Sequence, residues 1–533
     1  MRHRKWSALV VGVVTIGMVS VGAHAASAAP DDPSGSKSST IKAQGRVTST
    51  VRSVDLARAA ASPPPVVAHT RSRGTLGING KPTGSSLPKK ATTGSKQMPA
   101  GRTGTQQVTP LTAPTTINAN FPSGITAANC NCQPSDTNAA VSPTQIAHTV
   151  NVRLQVYTKT GTTVCGIGIN ALIGTTDDLT DPRIQWDNLN NRYSLVITRI
   201  PATAGTTPIL YLLASQTADA CGTWFVYTLN FTGTYPNGTF LDYPWLGQDR
   251  TSLLLSSNNF TFTDAYLNST AFSLPKTAVY SGVSPSGVVF PVDFSTAPVT
   301  VTGIPISATS ATYFLRSIPG TGYQYYKMLN SGTLSATLTP GPIINSPFSA
   351  PSREINQPGT GATLDPLDGR IPWSPYQNQG LLWFTHGQDL SGFPSVRYGA
   401  INTATNAIAT ATAYRSATSD DFNPSLGVSD AGSGLIFLWL NWAYTDTPAG
   451  VATSVTVDGV KPGGGIPPLI GTGVVLVNGA STTEFRFGDY SSVAIDPTAD
   501  SPSCPAGRTA VIAQQYFLPD TLWTTRLGRL SFC

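Results

Sequence analysis

The stretch "DPRIQWDNLNNRYSLVITRI", residues 181–200, contains an aspartate, a short apolar strand, a polar turn and then a longer apolar strand. The turn at Asp187 and Asn188 uses residues that bend the backbone at little cost. Two strand-like runs on either side of such a turn predict a β-hairpin.

The same pattern recurs along the chain. Copies begin at Asp136 with "DTNAAVSPTQIAHTVN", at Asp242 with "DYPWLGQDRTSLLLSSNNF", at Asn423 with "NPSLGVSDAGSGLIFLWLNW" and at Asp489 with "DYSSVAIDP". With weaker copies at Asp368 and within residues 311–329, the spacing gives seven units of about 59 residues, against about 40–50 for common blade-type repeats. Radially arranged four-stranded sheets protect the strand edges of such an array. We therefore predict an all-β fold, a β-propeller with seven blades, and leave six or eight blades open.

The first 28 residues indicate export. A basic start, an apolar stretch over residues 7–22 and small residues near Ala28 are typical of a secretory signal peptide. No later stretch is long and apolar enough to cross a bilayer. We expect a secreted, extracellular protein without a membrane span.

Residues 29–115 have a different composition from the rest of the chain. They contain 12 Lys and Arg against 3 Asp, many Pro, Gly, Ser and Thr, and no strand or helix period, which predicts a disordered basic tail. The tail could contact anionic cell-wall polymers, although a solvated spacer is the simpler interpretation. Residues 116–533, the predicted propeller domain, then carry a net charge of −6, so we expect no nucleic-acid partner.

The six cysteines predict disulfides, because an even number in an exported region favours bridges over metal thiolates. Cys130 and Cys132 are too close in sequence to be expected partners of each other, so each is expected to pair with Cys165 or Cys221. Cys504 and Cys533 then pair by elimination.

The acidic residues that open the repeats could converge. If each caps the turn into the innermost strand of its blade, the aspartates form a polar ring at the mouth of the central channel. Any one of them is better explained as a structural cap, but a ring of carboxylates could bind a cation such as calcium or a polyol. The ring would consist of Asp136, Asp181, Asp242 and Asp489.

Six motifs together resemble a family of secreted bacterial β-propeller proteins described as sialidase-like. They are "DTNAAVSPTQIAHTVNVRLQVYTKTG", "DPRIQWDNLNNRYSLV", "LDYPWLGQDRTSLLLSSNNF", "SVRYGAI", "FRFGDYSSVAIDP" and "WTTRLGRLSFC", and the resemblance covers residues 130–533. It implies a propeller and an exported location, without an agreed activity. The chain departs from the family at residues 377–380, where relatives are acidic, which puts a carboxylate role at that blade in doubt.

Side chains of the types that sialidases use are present, without a complete catalytic set. Arginines and tyrosines near the predicted channel join the aspartates as candidate ligand contacts, and Trp373, between two prolines, is the expected exposed stacking platform. The full candidate set adds Arg183, Tyr243, Trp373, Tyr376, Arg486 and Tyr490 to the four aspartates. His148 and His386 are expected to pack in the core, and no nucleophile elbow is present.

These patterns favour a monomeric propeller that binds an extracellular glycan or cell-surface protein at its channel face. The alternatives are a glycoside hydrolase or polysaccharide lyase that uses the aspartates, and a purely structural partner protein. No cofactor is evident beyond the calcium that the carboxylates could hold.

Overall fold

In the computed structural model of the chain, the described residues are 39–61, 75–76, 82–83, 116–302, 311–430, 436–460, 469–470, 473–520 and 522–533. The expected signal peptide lies outside them. Strands dominate, so the predicted all-β class is confirmed. No helix within the described ranges has the length and apolar character that a membrane crossing requires.

The chain begins with elements that precede the repeats. These are β1 (Gly45–Asp55), α1 (Leu56–Ala60), the short pair β2 (Thr75–Leu76) and β3 (Pro82–Thr83), then β4 (Thr116–Thr126) and α2 (Ala127–Cys130). The prediction of a wholly disordered tail over residues 29–115 is therefore wrong for β1 and α1. The low apolar content of the region gave no signal for these elements. β1 gains its stability from pairing with distant strands.

Most strands that follow in the described part of the chain pair in antiparallel groups of four, which we number as sheets 1 to 7. Four of these groups are separate sheets, and three are joined through β1 and short connecting strands into one 15-stranded sheet. Sheet 1 contains β5 (Asn138–Val141), β6 (Gln145–Val150), β7 (Arg153–Thr158) and β8 (Thr163–Gly168). After α3 (Ile169–Ile173), sheet 2 contains β9 (Leu179–Asp187), β10 (Arg192–Arg199), β11 (Ile209–Ser215) and β12 (Thr223–Asn230). Sheet 3 contains β13 (Phe240–Gln248), β14 (Ser252–Phe260), β15 (Tyr266–Pro275) and, after α4 (Lys276–Val279), β16 (Gly287–Val292).

The second half of the chain supplies the remaining sheets. Sheet 4 contains β17 (Ala297–Pro298), then, after the separate β18 (Thr300–Val301), β19 (Thr312–Ile318), β20 (Gly322–Leu329) and β21 (Thr337–Asn345). Sheet 5 contains β22 (Tyr376–Asn378), β23 (Leu381–Leu390), β24 (Phe393–Asn402) and β25 (Ile408–Tyr414). Sheet 6 contains β26 (Asp420–Ser429), β27 (Phe437–Asp446), β28 (Val451–Val460) and, after β29 (Leu469–Ile470), β30 (Val474–Asn478). Sheet 7 contains β31 (Ser492–Ile495), β32 (Thr509–Phe517) and β33 (Trp523–Ser531), and its fourth strand is β4.

The sheets contact one another in chain order through strands near their inner edges. β5 contacts β9, β9 contacts β13, β13 contacts β17 and β18, β18 contacts β22, β22 contacts β26, and β26 contacts β31. β31 then contacts β5, so the last sheet lies against the first. Strands such as β14 and β27 are buried along their whole length, because neighbouring sheets cover both of their faces.

Aromatic side chains fill the spaces between sheets. Trp245 and Trp439 are almost completely buried. His148 and His386 are also fully buried, and burial lowers the pKa of each to about 3, so both imidazoles are neutral at physiological pH. His386 shares a hydrogen bond with the Tyr323 hydroxyl at 2.7 Å and packs against Phe348.

The six cysteines form three disulfides, and one predicted pairing is confirmed: Cys504 pairs with Cys533. The other prediction is wrong, because Cys130 pairs with Cys132 and Cys165 pairs with Cys221. Asn131 has a left-handed conformation after α2, which brings the Cα atoms of Cys130 and Cys132 to 5.2 Å. That separation lies within the range that disulfides span.

The disulfides should differ in their contribution to stability. Loop-closure entropy predicts that replacing Cys165 and Cys221 by Ser, which opens a 56-residue separation, lowers the free energy of unfolding by about 4 kcal/mol. Replacing Cys130 and Cys132, only two residues apart, should lower it by about 1.6 kcal/mol. Guanidinium unfolding of the two double variants measures the difference, and an equal loss in both would contradict the entropic account.

Candidate functional site

The residues that open the repeats lie near the starts of the first strands, but not all of them cap a turn. Asp136 and Asp489 precede β5 and β31, as predicted. Asp181 and Asp242 lie inside β9 and β13, which corrects the prediction for these two repeats.

Irregular strand pairing explains the difference. Asp181, Tyr243 and Asn423 have φ angles of 64°, 52° and 49°, each is followed by proline, and the strand register shifts at each position. Proline has no N–H to donate to the ladder, so a bulge forms where a regular strand would otherwise continue. The dipeptides Asp-Pro, Tyr-Pro and Asn-Pro were the sequence signal for these bulges.

The four predicted aspartates come together in what we call the acidic cluster, made of Asp136, Asp181, Asp242 and Asp489. The Asp489 amide donates to Asp136 Oδ1 at 2.8 Å. Asn151 joins two further members, because its Nδ2 donates to Asp136 Oδ2 at 2.8 Å and its Oδ1 accepts from the Asp181 amide at 3.0 Å. The expected convergence is therefore present for these three aspartates, and the charges of Asp181 and Asp489 also act on Asp242.

Tyrosine side chains complete the packing of the acidic cluster. The Tyr490 hydroxyl donates to Asp181 Oδ2, and the Tyr243 hydroxyl donates to the Asp489 carbonyl at 3.2 Å. The two rings meet edge to face with centroids 4.5 Å apart. Burial raises the pKa of both hydroxyls well above the ordinary value, so each remains a hydrogen-bond donor.

The nearby arginines are engaged within the chain. Arg486 pairs with Asp489 at 3.0 Å, and Arg370 pairs with Asp368. Arg183 donates to the carbonyls of Pro244 at 3.0 Å and Pro372 at 2.8 Å, and its guanidinium lies 3.5 Å from the centre of the Tyr490 ring. These contacts do not provide the free arginine triad that a sialidase directs at its substrate carboxylate.

Burial changes the protonation of the acidic cluster. It raises the pKa of Asp136 and Asp242 well above the ordinary value, and the charge of Asp181 raises both further, whereas Arg486 and Arg370 oppose the shifts. Burial also raises the pKa of Asp489, with Arg486 opposing. Asp242 is 2% exposed, and its buried Oδ2 has no hydrogen-bond partner among the described residues.

Calcium is the one metal that the sequence left open for the aspartates. Within the described ranges, no three His, Cys, Asp or Glu side chains are grouped so that they could hold a metal ion. Calcium binding at the aspartates stays a prediction.

A cavity of about 500 Å³ lies at the other ends of the first strands, and we call it the central cavity. Its wall includes the later residues of β5, β9, β13, β26 and β31, together with β18 and Tyr376, the first residue of β22. Since the acidic cluster lies at the starts of these strands, the two sites occupy opposite ends of the strand bundle.

Gln185 and Trp186 give the central cavity its polar character. Gln185 Nε2 donates to the Leu246 carbonyl and to Thr300 Oγ1 at 2.9 Å, which fixes the orientation of the amide. Its Oε1 and the Trp186 Nε1 have no hydrogen-bond partner within the described structure, although the two residues are only 8% and 9% exposed. A buried unpaired acceptor and donor destabilise a protein unless a ligand or solvent satisfies them.

Several charged residues of the central cavity are paired within the chain. Lys276 Nζ lies 2.7 Å from Asp187 Oδ2 and donates to Gln248 Oε1 at 3.0 Å and the Asp249 carbonyl at 2.6 Å. Burial lowers the Lys276 pKa, and Asp187 opposes that shift. Asp496 accepts from Lys159 and Arg529 at 2.7 and 2.8 Å.

Trp373 and Tyr376 belong to the central cavity and not to the acidic cluster. Trp373 is 6% exposed, so the prediction of an exposed platform is wrong. The turn that carries it folds inward, where the Arg183 guanidinium lies 5.9 Å from the indole centre. The Tyr376 hydroxyl donates to the Val493 carbonyl at 3.0 Å.

Sequence reasoning missed Gln185, Trp186, Gln248 and Lys276 as candidate site residues. In the sequence we considered the residue that opens each repeat. We did not consider the last residues of the first strand, which lie just before the hairpin turn. The sequence "QWD" at 185–187 carried that signal, because it combines an amide, an indole and a turn residue.

Comparisons with known proteins do not place the chain in a family. No family model matches the sequence. A segment of 135 residues is 32% identical to NADH-quinone oxidoreductase subunit N of Trichlorobacter lovleyi, and it covers 25% of this chain and 26% of that protein. The chain thus spans about a quarter of the length of this relative.

Solved structures with partial likeness include three carbohydrate-active enzymes. An α-L-arabinanase from Penicillium chrysogenum has a TM-score of 0.28 at 11% identity, over 66% of this chain and 92% of that chain. A xylan β-1,4-xylosidase from Bacillus halodurans has a TM-score of 0.28 at 9% identity, over 79% of this chain and 96% of that chain. The Trypanosoma rangeli sialidase has a TM-score of 0.28 at 9% identity, over 67% of this chain and 55% of that chain. At these TM-scores the alignments carry no inference about this chain.

Replacing Asp242 by Asn should change how stability depends on pH. The folded-state pKa of Asp242 is raised, so the stability it contributes is fully present below its ordinary pKa of 3.8 and is lost as pH rises through the folded value. Asp242→Asn removes that loss, so its stability relative to wild type should increase as pH rises above 3.8.

Urea unfolding at several pH values measures this difference. Asp520→Asn, at an exposed aspartate, is the matched control and should follow the wild-type curve. A constant offset between Asp242→Asn and wild type across the pH range would contradict the prediction.

Proposed function

We propose that the protein is a secreted seven-bladed β-propeller that binds a hydroxyl-rich ligand, an oligosaccharide, in the central cavity. The single observation that carries the proposal is the pair of unpartnered polar atoms on adjacent residues of the cavity wall, Gln185 Oε1 and Trp186 Nε1. A sugar hydroxyl both donates and accepts. Because successive side chains of a strand point to opposite faces, two different hydroxyls of one oligosaccharide would satisfy the two atoms.

The order of sheet contacts supports the propeller. Each sheet contacts the next through strands near its inner edge, and β31 contacts β5. β4 pairs with β33, so the last blade is built from both ends of the repeat region. This is how a ring of blades avoids an open strand edge at its junction.

The dimensions and lining of the central cavity favour an oligosaccharide over a protein surface. Its volume of about 500 Å³ falls within the range of small-molecule sites. Trp186 and Trp373 supply apolar indole faces, and Gln185 and Gln248 supply amides, a combination that suits the apolar faces and hydroxyl rim of a sugar. Because Lys276 and Asp496 are already paired, a neutral sugar fits better than a charged one.

The disulfides support secretion. All six cysteines are bridged, and disulfides persist in oxidising compartments. The expected signal peptide over residues 1–28 agrees with that location.

Removing one donor from the cavity wall should weaken binding. The wild-type protein is screened on a neutral glycan array, and the best oligosaccharide is then titrated by calorimetry. Trp186→Phe keeps an aromatic ring but removes Nε1, and the loss of one hydrogen bond should weaken affinity about threefold to tenfold. Val283→Ala, at a side chain that is exposed and absent from the cavity wall, is the control and should bind as wild type. No binding to any glycan, or equal affinity in Trp186→Phe, would contradict the proposal.

A second candidate function is carbohydrate cleavage by the acidic cluster. The observation that favours it is Asp242, whose buried carboxyl has a raised pKa and an unpartnered Oδ2 beside the other aspartates. A carboxylic acid that remains protonated near neutral pH can act as a general acid, and an ionised neighbour can act as the base or nucleophile of a glycosidase. The side chain of Asp489 is 13% exposed, whereas Asp136, Asp181 and Asp242 are buried.

The second candidate predicts turnover that depends on these carboxyls. The protein is assayed against a panel of neutral and acidic polysaccharides by reducing-end release and by formation of unsaturated products. Asp242→Asn and Asp489→Asn should each reduce kcat at least about a hundredfold if they serve as acid and base, whereas Asp520→Asn should not. Full activity in both folded variants would exclude the cluster as the catalytic site.

A further inference from the structure

Strand β1 is an additional strand that lies across the outer edges of two sheets. Its residues 45–47 pair antiparallel with 287–289 of β16, and its residues 48–55 pair with 223–230 of β12. β12 and β16 are already the fourth strands of sheets 2 and 3. β1 therefore covers backbone edges that the repeats leave open.

Backbone hydrogen bonds extend the attachment on both sides of β1. The Ile41 amide donates to the Leu338 carbonyl of sheet 4 at 2.8 Å, and the Gln44 amide donates to the Val289 carbonyl at 2.8 Å. At the other end, the Leu56 amide donates to the Gly222 carbonyl at 3.3 Å. One segment thus spans the edges of three successive sheets.

Two apolar side chains anchor the segment in separate cores. Val47 is fully buried among the side chains that fill sheets 2 and 3, and Leu56 is buried in the core beside α3. Most other side chains of β1 are exposed or half-buried.

A close approach at Gly45 adds a size restriction between these contacts. A Cβ at this position would lie 2.3 Å from Thr234 Oγ1. The segment therefore has the features of a recognised peptide: main-chain pairing, two anchor side chains and one position where any larger residue would have to displace the Thr234 side chain.

We infer that the outer edges of β12 and β16 form a peptide-acceptor site, and that residues 39–61 of the same chain are its resident ligand. The site recognises an extended segment with glycine at position 45, an apolar residue at 47 and a second apolar residue at 56. Because the attachment is non-covalent, the same segment from a second copy of this chain occupies the site when the resident segment is displaced. This inference is independent of the ligand in the central cavity.

The experiment uses the full chain with a protease site in place of residues 84–90, which lie outside the described residues. After folding, the chain is cleaved and passed through a size-exclusion column. The N-terminal fragment should remain with the larger fragment, because β1 holds it without a covalent link. A fluorescent peptide of residues 39–61 should then replace the fragment after brief incubation in urea below the unfolding transition, followed by dilution.

Two matched peptides test the recognition. A Val47→Asp peptide places a charge in an apolar core and should bind at least about tenfold more weakly than the wild-type peptide. A Thr50→Asp peptide changes an exposed position of β1 and should bind as tightly as wild type.

Three results would overturn the inference. The first is elution of the fragment apart from a larger fragment that keeps its β-sheet circular dichroism spectrum. The second is failure of the wild-type peptide to replace the fragment. The third is equal binding of the wild-type and Val47→Asp peptides.

Discussion

The pairing of β4 with β33 is the constraint on which the rest of the structure depends. Residues 116–126 precede the repeats and the C-terminal strand follows them, yet the two lie side by side in sheet 7. The bond from the Asp489 amide to Asp136 joins sheets 7 and 1 again near the starts of their first strands. Loop-closure entropy rises only slowly with length, so strand pairing and sheet packing can offset the cost of joining such distant segments.

Bringing the first strands together has electrostatic consequences that differ at their two ends. The strand starts carry aspartates whose charges repel one another and are poorly solvated, so burial and mutual repulsion raise their pKa values. Backbone amides, Asn151 and tyrosine hydroxyls occupy most of the carboxylate oxygens, which makes this end compact. The other ends diverge into turns and leave the central cavity, where several charged side chains are paired and the unpaired groups are neutral.

Strand pairing also explains why the N-terminal segment is ordered at the outer edges of the sheets. An exposed strand edge offers unpaired N–H and carbonyl groups to any extended peptide. β1 occupies two such edges with few apolar contacts and many backbone bonds, so its composition resembles that of a solvated tail although it is ordered. Charge and hydropathy alone therefore do not distinguish a solvated spacer from a strand that becomes ordered by pairing with the edge of a distant sheet.

The sequence by itself determined the all-β class, the hairpin repeat, the pairing of Cys504 with Cys533 and the four aspartates that meet. The class, the repeat and the aspartates follow from local alternation, turn residues and repeat spacing, which are properties of neighbouring residues. The disulfide followed by elimination among the six cysteines. The tertiary structure decided the features that depend on residues far apart: the burial of Trp373, the order of β1 and the unpartnered atoms of Gln185 and Trp186. Whether a polar atom finds a partner depends on which distant backbone lies opposite it, and only the packing of the sheets fixes that.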